Sequence, residues 1–186
     1  FKAVQIQSGK HVAVKVQSDF EKARAERDHH DRFECCNHIV SKIADFEDFW
    51  GGCVLVLEWC HDGDLSEAVK DRWNSGKGPF PQQTVVRWAI SLCSALQEIG
   101  SHGYAHGDVA LRNIMLTSTN DCKLGDLGLV SKAGAPRTRH SPSSAPEEET
   151  TVTIAADMFA VGCALIQVMH LIHPSDFNRD QVETYL

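Results

Sequence analysis

The stretch His102–Leu116 contains the residues whose types and spacing could do chemistry. Within it, Asp108 and Asn113 lie five positions apart on a predicted loop that follows a long amphipathic helix. Carboxylate and amide oxygens are hard ligands of the kind that Mg²⁺ prefers. A carboxylate beside a hydroxyl can also orient that hydroxyl, or accept its proton, during attack on a phosphoryl group. The pair is therefore suited to phosphoryl transfer with a bound metal.

Two further residues could complete such a site. Lys15 ends the run Val12–Val14 of a predicted strand, and a cation on a rigid strand could hold the α and β phosphates of a nucleoside triphosphate. Asp126 could supply a second oxygen ligand for Mg²⁺. Taken singly, Lys15 could equally be a solvated strand lysine, and Asp126 the cap of a tight turn.

Strands dominate the predicted elements before residue 60. Alternation predicts a hairpin over Phe1–Val16 and further strands over Ile43–Phe49 and Cys53–Trp59. The apolar run that opens the last strand predicts that it is covered on both faces. A charged helix over Asp19–Phe33, capped by Asp19, lies between the hairpin and the later strands.

Helices dominate after residue 60, with one pair of short strands around the Asn120–Asp121 turn and a loop over Lys132–Ser144. The predicted helices cover Leu65–Trp73, Gln82–Ser101, Ile154–Ile172 and the short Phe177–Leu186. This order predicts an α+β fold of one domain over residues 1–186. Its two lobes would be residues 1–58 and 59–186, with a hinge near residues 58–60.

The motifs resemble, in type and order, those of the eukaryotic protein kinase family. Each triplet alone is a weak signal, but the interval of 18 positions from Asp108 to Asp126 also matches the family. The matching motifs are Val12-Ala-Val-Lys15, Leu57-Glu-Trp-Cys60, His106-Gly-Asp-Val-Ala-Leu-Arg-Asn113, Asp126-Leu-Gly128, Ala145-Pro-Glu147 and Asp157-Met-Phe-Ala-Val-Gly162.

The resemblance implies a two-lobed kinase fold that uses ATP and Mg²⁺ to phosphorylate a protein substrate. It assigns Lys15 to the phosphates, Asp108 to the attacking hydroxyl, and Asn113 and Asp126 to the metal. Lys15 then needs an acidic partner on the first helix. Glu26 is the predicted partner, because it shares a helix face with buried-type residues, and the rival is Glu34.

The remaining cofactor-binding positions also follow from the resemblance. Leu57 would be the gatekeeper beside the adenine, and Asp64 would lie near the ribose. The other assignments are Ala13 and Met115 to the ring faces, the Glu58 and Cys60 backbones to the ring edge, and Asp157 to a cap beneath the catalytic loop. For the apolar members, a plain core position is the competing interpretation.

The sequence departs from the family in three places. No Gly-rich loop precedes Val12, so the chain matches the family from just after that loop, as a trimmed chain would. Gly107 replaces the Arg that reads a phosphorylated activation loop, which argues against that mode of control. Little sequence follows the apolar 154–172 helix, so a protein partner or self-association is predicted to cover it. Glu147 has no obvious Arg partner.

Substrate type follows from weaker signals. Ala110 stands where Ser/Thr kinases carry Lys, and Arg112 fits the tyrosine-kinase pattern, whereas Ser141-Pro142 fits a Ser/Thr-type loop. The balance favours Ser/Thr over Tyr. The alternatives are a pseudokinase that acts by docking a protein partner and, less favoured, a small-molecule kinase of related fold.

Composition limits the kinds of partner and the cellular compartment that the chain could have. A net charge of −7 without a broad basic face argues against nucleic acid, and no apolar run is long enough to indicate a membrane span. Seven scattered cysteines indicate a reducing, intracellular compartment, cytoplasmic or nuclear. Cys35 and Cys36, near several histidines, lack zinc-site spacing and are interpreted as small buried hydrophobes.

Overall fold

The computed structural model describes residues 1–6, 8–47, 52–136 and 151–178, together with residues 182 and 185. Its N-terminal region is a four-stranded antiparallel sheet with the order β1-β2-β4-β3. These strands are β1 (Lys2–Val4), β2 (His11–Gln17), β3 (Lys42–Glu47) and β4 (Cys53–Glu58), and helix α1 (Phe20–Arg32) connects β2 to β3.

The region from residue 60 onward is mainly helical. Its elements are α2 (Leu65–Asn74), α3 (Gln82–Ser101), β5 (Tyr104–Ala105), β6 (Ile114–Leu116), β7 (Cys122–Leu124), β8 (Ser131–Lys132) and α4 (Ile154–His170), with 3₁₀ turns at Leu111–Asn113 and Leu127–Leu129. Strand β6 pairs with β7, and β5 pairs with β8. A β-rich region followed by a helical one confirms the α+β, kinase-like prediction.

Helix α1 begins where its cap predicts. The Asp19 carboxylate accepts a hydrogen bond from the Lys22 N–H, which satisfies one of the unpaired donors of the first turn. Ala23, Glu26 and His30 recur at helical spacing and are buried. Ala23 packs on the inner face of β4, so Glu26 one turn later faces the sheet.

The prediction that β4 is covered on both faces is wrong. Cys53 and Leu55 are buried on the α1 side, but Val54 on the other side is only half-buried. Val54 pairs with Val16 and Phe46, and the latter two are 53% and 55% exposed. Among the described residues no second layer covers this face, because α1 packs on one side of the sheet only.

The core of the helical region forms around α3. Trp88, Leu92 and Ile99 are almost fully buried at i, i+4 and i+11, and they pack with the β6–β7 hairpin and α4. The Trp88 indole N–H donates to the Asn120 carbonyl at 3.1 Å, which satisfies its polar atom. This packing fixes the loop between β5 and β6, where the chemistry-bearing residues lie.

Helix α4 is less buried than its composition predicts. Thr153 caps it, and it ends at His170 with Leu171 in the left-handed region at φ 50°. Ala160 and Ala164 belong to the same buried core as the apolar face of α3, but Ile154, Met158 and Met169 are 37%, 43% and 53% exposed. These exposed apolar side chains are the part of α4 that the predicted protein partner or self-association would cover, and that coverage stays a prediction.

Some predicted features lie outside the described residues. These are Ala145-Pro-Glu147, the Ser141-Pro142 pair, Gly51 of the β3–β4 connection and most of the Phe177–Leu186 helix, of which Phe177 and Asn178 are not helical. In the part of the chain that the structure describes, no helix combines the length and apolar character needed to cross a bilayer. The same residues include no cluster of three or more His, Cys, Asp or Glu side chains able to hold a metal.

Candidate active site

Three charged side chains from separate elements converge at the centre of the site. The Lys15 Nζ on β2 lies 2.8 Å from both carboxylate oxygens of Glu26 on α1. The same Nζ lies 2.6 Å from Oδ1 of Asp126. The structure thus brings Lys15 to Glu26 rather than to Glu34, and the packing of α1 on the sheet places the two side chains together.

The electrostatics keep Lys15 and Asp126 ionised at neutral pH. Burial by itself would lower the pKa of Lys15, but the charges of Glu26 and Asp126 and their hydrogen bonds raise that pKa overall. Burial would likewise raise the pKa of Asp126, but Lys15 lowers it overall. The cation is therefore present and held in place before any substrate arrives.

Asp126 has a backbone conformation that non-glycine residues rarely adopt, with φ 55°. The preceding residue is held through both of its backbone groups: the Gly125 N–H donates to the Asn113 carbonyl at 2.8 Å, and the His106 ring bonds the Gly125 carbonyl at 3.0 Å. Such backbone strain persists where the surroundings over-determine it, often at functional sites. These contacts join Asp126 to the loop that carries Asp108.

A buried carboxylate orders the start of that loop. Asp157 on α4 is 3% exposed and accepts from the backbone N–H of His106 at 2.6 Å and of Gly107 at 2.9 Å. Gly107 has φ +78°, and a Cβ there would lie 3.0 Å from the Leu129 carbonyl oxygen. Glycine at this position therefore fits the local backbone, besides removing an arginine side chain.

Asp108 and Asn113 meet within the loop. The Asn113 amide nitrogen donates to the Asp108 carbonyl at 2.7 Å and to its Oδ2 at 3.0 Å. Among the described residues no hydrogen bond uses the Asn113 carbonyl oxygen Oδ1. Arg112 also donates to Oδ1 and Oδ2 of Asp108, at 2.6 and 2.8 Å, and its side chain is 53% exposed.

These groups fit a nucleoside triphosphate with its metal. The Asp126 carboxylate and the uncommitted Asn113 Oδ1 are hard oxygen donors of the kind Mg²⁺ takes. They are joined through the Gly125–Asn113 hydrogen bond, and Lys15 adds a cation for the phosphates. Asn113 and Asp126 would hold the metal, whose charge would offset that of the phosphates.

Four of the predicted nucleotide-binding residues form two pairs, and the members of each pair are neighbours in the structure. Ala13 on β2 lies opposite Leu57 on β4 in the sheet, and Met115 bridges to Asp64. Asp64 also caps α2 by accepting from the Glu67 N–H at 3.0 Å, so its carboxylate has a structural use besides the predicted ribose contact.

Glu58, the last residue of β4, contacts Ser41 and Lys123. Its Oε1 accepts from the Ser41 N–H at 2.7 Å and from Lys123 Nζ at 2.6 Å, while its own N–H donates to the Ser41 carbonyl. Cys60 is buried, and burial followed by the charge of Glu58 raises the pKa of its thiol to about 11. The thiol is therefore protonated at neutral pH, which fits a wall position.

Two residues around Glu26 were not predicted from the sequence. The Gln17 amide on β2 donates to Glu26 Oε2. The Nε2 of His30 lies 4.0 Å from Glu26 Oε1 and has no hydrogen-bond partner among the described residues. Periodicity could have identified both, because Gln17 follows Lys15 by two residues on a strand and His30 follows Glu26 by four on a helix.

His30 is expected to make stability depend on pH. Burial, followed by the charges of Lys15 and Lys42, lowers its pKa from 6.5 to about 4. The unfolded chain therefore takes up this proton first, so stability falls as the pH drops from 6.5 towards 4. The shift corresponds to about 3 kcal/mol.

The His30→Leu variant should lose that dependence. We expect urea unfolding at pH 7 and pH 4.5 to show a smaller difference in this variant than in wild type, by about 2–3 kcal/mol. The exposed His61, replaced in the same way, serves as the matched control and should keep the wild-type difference. An equal difference in wild type and His30→Leu would contradict the assignment.

Comparison with known proteins agrees with this geometry. A family model described as "Protein kinase domain" matches residues 1–185. The chain is 29% identical over 150 residues to the serine/threonine-protein kinase Nek3 of Mus musculus, covering 76% of this chain and 28% of that protein. It is 29% identical over 140 residues to the serine/threonine-protein kinase PLK4 of Xenopus tropicalis, covering 71% of this chain and 14% of that protein.

A plant protein gives the longest of these three matches. The chain is 25% identical over 179 residues to the serine/threonine-protein kinase Nek3 of Oryza sativa subsp. japonica, covering 90% of this chain and 30% of that protein. The chain thus spans less than a third of the length of these curated relatives. Because the family model covers nearly every residue, the chain belongs to the protein kinase domain family.

Proposed function

We propose that this chain is an ATP- and Mg²⁺-dependent protein kinase domain that transfers the γ-phosphate to a protein hydroxyl, on Ser or Thr rather than Tyr. The observation that carries the proposal is the placement of one lysine between two carboxylates, linked through Gly125 to the Asp108–Asn113 pair. In this arrangement Lys15 could bind the phosphates, Asn113 and Asp126 could bind the metal, and Asp108 could act as the base.

In the proposed reaction each side chain has one task. Lys15 binds the α and β phosphates, and Asp126 and Asn113 hold Mg²⁺, which neutralises phosphate charge when bound. Asp108 orients the substrate hydroxyl and accepts its proton as that oxygen bonds to the γ-phosphorus and the bond to the β–γ bridging oxygen breaks. Arg112 fixes the Asp108 carboxylate through its two hydrogen bonds.

The proposal extends to the domain organisation, the type of substrate and the cellular compartment. One domain over residues 1–186 would hinge near residues 58–60, with the nucleotide held between its two parts. The names of the three relatives support a Ser/Thr substrate over a Tyr substrate. None of the seven cysteines forms a disulfide, which supports an intracellular compartment.

A second candidate function is docking without catalysis. The exposed side chains of Ile154, Met158 and Met169 on α4 favour it, because large apolar groups in one region often mark a protein contact. A protein partner or a second copy of the chain would cover them. On this alternative, Gly107 would mark relaxed catalytic requirements.

Nucleotide binding separates the two candidates. We expect saturating Mg-ATP to raise the melting temperature of the wild type by several degrees, because ligand at 100 times its Kd adds about 2.7 kcal/mol. Lys15→Met should lose most of that increase, whereas Lys70→Met, at an exposed position of α2, should keep it. A folded wild type with no shift would contradict the kinase proposal and favour docking.

A further inference from the structure

Glu26 is a buried charge with several neighbours. It is 1% exposed, and a carboxylate at such a position must be paired and hydrogen-bonded to remain ionised at low cost. Lys15 reaches both of its oxygens, and the Gln17 amide reaches Oε2. Glu26 thus has one charged donor and one neutral donor on the sheet side.

The ammonium of Lys15 has no spare hydrogen bond in this arrangement. Its three N–H groups face Glu26 Oε1, Glu26 Oε2 and Asp126 Oδ1, at 2.8, 2.8 and 2.6 Å. A phosphate that binds Lys15 must therefore take over at least one of them. Where the bond given up is one to Glu26, a Glu26 paired with Lys15 alone would be left short of donors while buried, at a cost that opposes phosphate binding.

Gln17 is placed to prevent that cost. It follows Lys15 by two residues on β2, so both side chains lie on the same face of the sheet. Its donation to Oε2 does not pass through Lys15, so it would remain available if the ammonium turned toward phosphate. Because the amide is neutral, it also adds no second cation to compete for the phosphate.

The opposite side of Glu26 offers no donor. The His30 side chain is 1% exposed, and its ring bonds the Val40 backbone through its other nitrogen. A neutral imidazole has one N–H, so Nε2 presents a lone pair toward Glu26 Oε1 at 4.0 Å. The Glu26 carboxylate would therefore gain no hydrogen bond by turning toward His30, and it stays on the side of Lys15.

We infer that Gln17 is a positioning residue for Lys15. It holds the Glu26 carboxylate against the sheet, so that Lys15 can exchange one hydrogen bond to Glu26 for one to a phosphate of the nucleotide. His30 offers Glu26 no alternative donor on the opposite side. The inference rests on the proposed kinase function. It predicts that the amide donor of Gln17 sets nucleotide affinity, not only stability.

An isosteric series at position 17 tests this. Gln17→Met keeps the side-chain length and removes the donor, and Gln17→Glu replaces it with a like charge facing Glu26. We expect Mg-ATP affinity, measured by equilibrium titration, to fall about tenfold in Gln17→Met and further in Gln17→Glu. The rate of phosphoryl transfer at saturating ATP should change less than the affinity. In a Glu26→Gln background, the differences along the series should largely disappear.

Each outcome decides something. Equal Mg-ATP affinity in wild type and Gln17→Met, both folded by circular dichroism, would overturn the inference while leaving the kinase proposal intact. A graded loss that persists in the Glu26→Gln background would also overturn it, because Gln17 would then act by another route. Absence of nucleotide affinity in the wild type would overturn both proposals. If Gln17→Glu fails to fold, the Gln17→Met comparison decides alone.

Discussion

Asp108→Asn is expected to lower the rate of γ-phosphate transfer by about 10²–10⁴-fold, the usual loss when a positioned acid–base group is removed. The amide keeps the size of the side chain but accepts no proton from the substrate hydroxyl. Mg-ATP affinity should stay close to that of wild type, because Lys15, Asn113 and Asp126 are all retained and the new amide oxygen can still accept from the Asn113 amide nitrogen. The measurement is transfer to a protein substrate at saturating ATP.

The matched control is Asp121→Asn in the β6–β7 turn, whose side chain is 44% exposed. It makes the same chemical change 13 positions along the chain, where no role in transfer is assigned. It should transfer phosphate at the wild-type rate. Comparable activity of Asp108→Asn and wild type would remove Asp108 from its proposed role and place the proton acceptor elsewhere.

Among the variants considered, Asp157→Ala is expected to lower the free energy of unfolding the most. The change leaves the His106 and Gly107 backbone N–H groups without the carboxylate that now accepts from both, where His106 and Asp157 are buried and Gly107 is half-buried. Two hydrogen bonds to a charged acceptor make the expected loss about 2–4 kcal/mol in the free energy of unfolding. Asp157→Asn keeps one acceptor oxygen and should lose less. Urea denaturation at pH 7 measures both.

The control for this change is Asp71→Ala on the exposed surface of α2, which should shift the free energy of unfolding by about 0.5 kcal/mol or less. A further consequence distinguishes the cap from ordinary packing. Transfer activity of Asp157→Asn should fall even at temperatures where the variant is fully folded, because the loop before Asp108 is less ordered. Wild-type stability in Asp157→Ala would contradict the proposed cap.

The parts of the fold that could be predicted are those set by local patterns. The Asp19 cap, the helical spacing of Ala23 and Glu26, and the Asn120–Asp121 turn are each decided within a few residues. Glu26 could be chosen over Glu34 because it shares a helix face with residues that are buried. The kinase motifs then placed Asp108 and Asn113 in one loop.

The parts that could not be predicted depend on how the elements meet. Whether β4 is covered on its outer face depends on which layer packs there, and periodicity gives no information on that. The Gln17–Glu26 contact depends on the angle at which α1 lies on the sheet. The exposure of Met158 and Met169 likewise depends on what packs against α4, since an apolar sequence indicates only that burial would be favourable.

The most direct test of the central claim is transfer of labelled γ-phosphate from Mg-ATP to a generic protein substrate by the wild-type chain. The account predicts time-dependent label on Ser or Thr that is lost in both Asp108→Asn and Lys15→Met. A folded wild type that binds Mg-ATP but transfers no phosphate to any protein hydroxyl, under conditions where a known kinase labels the same substrate, would contradict it.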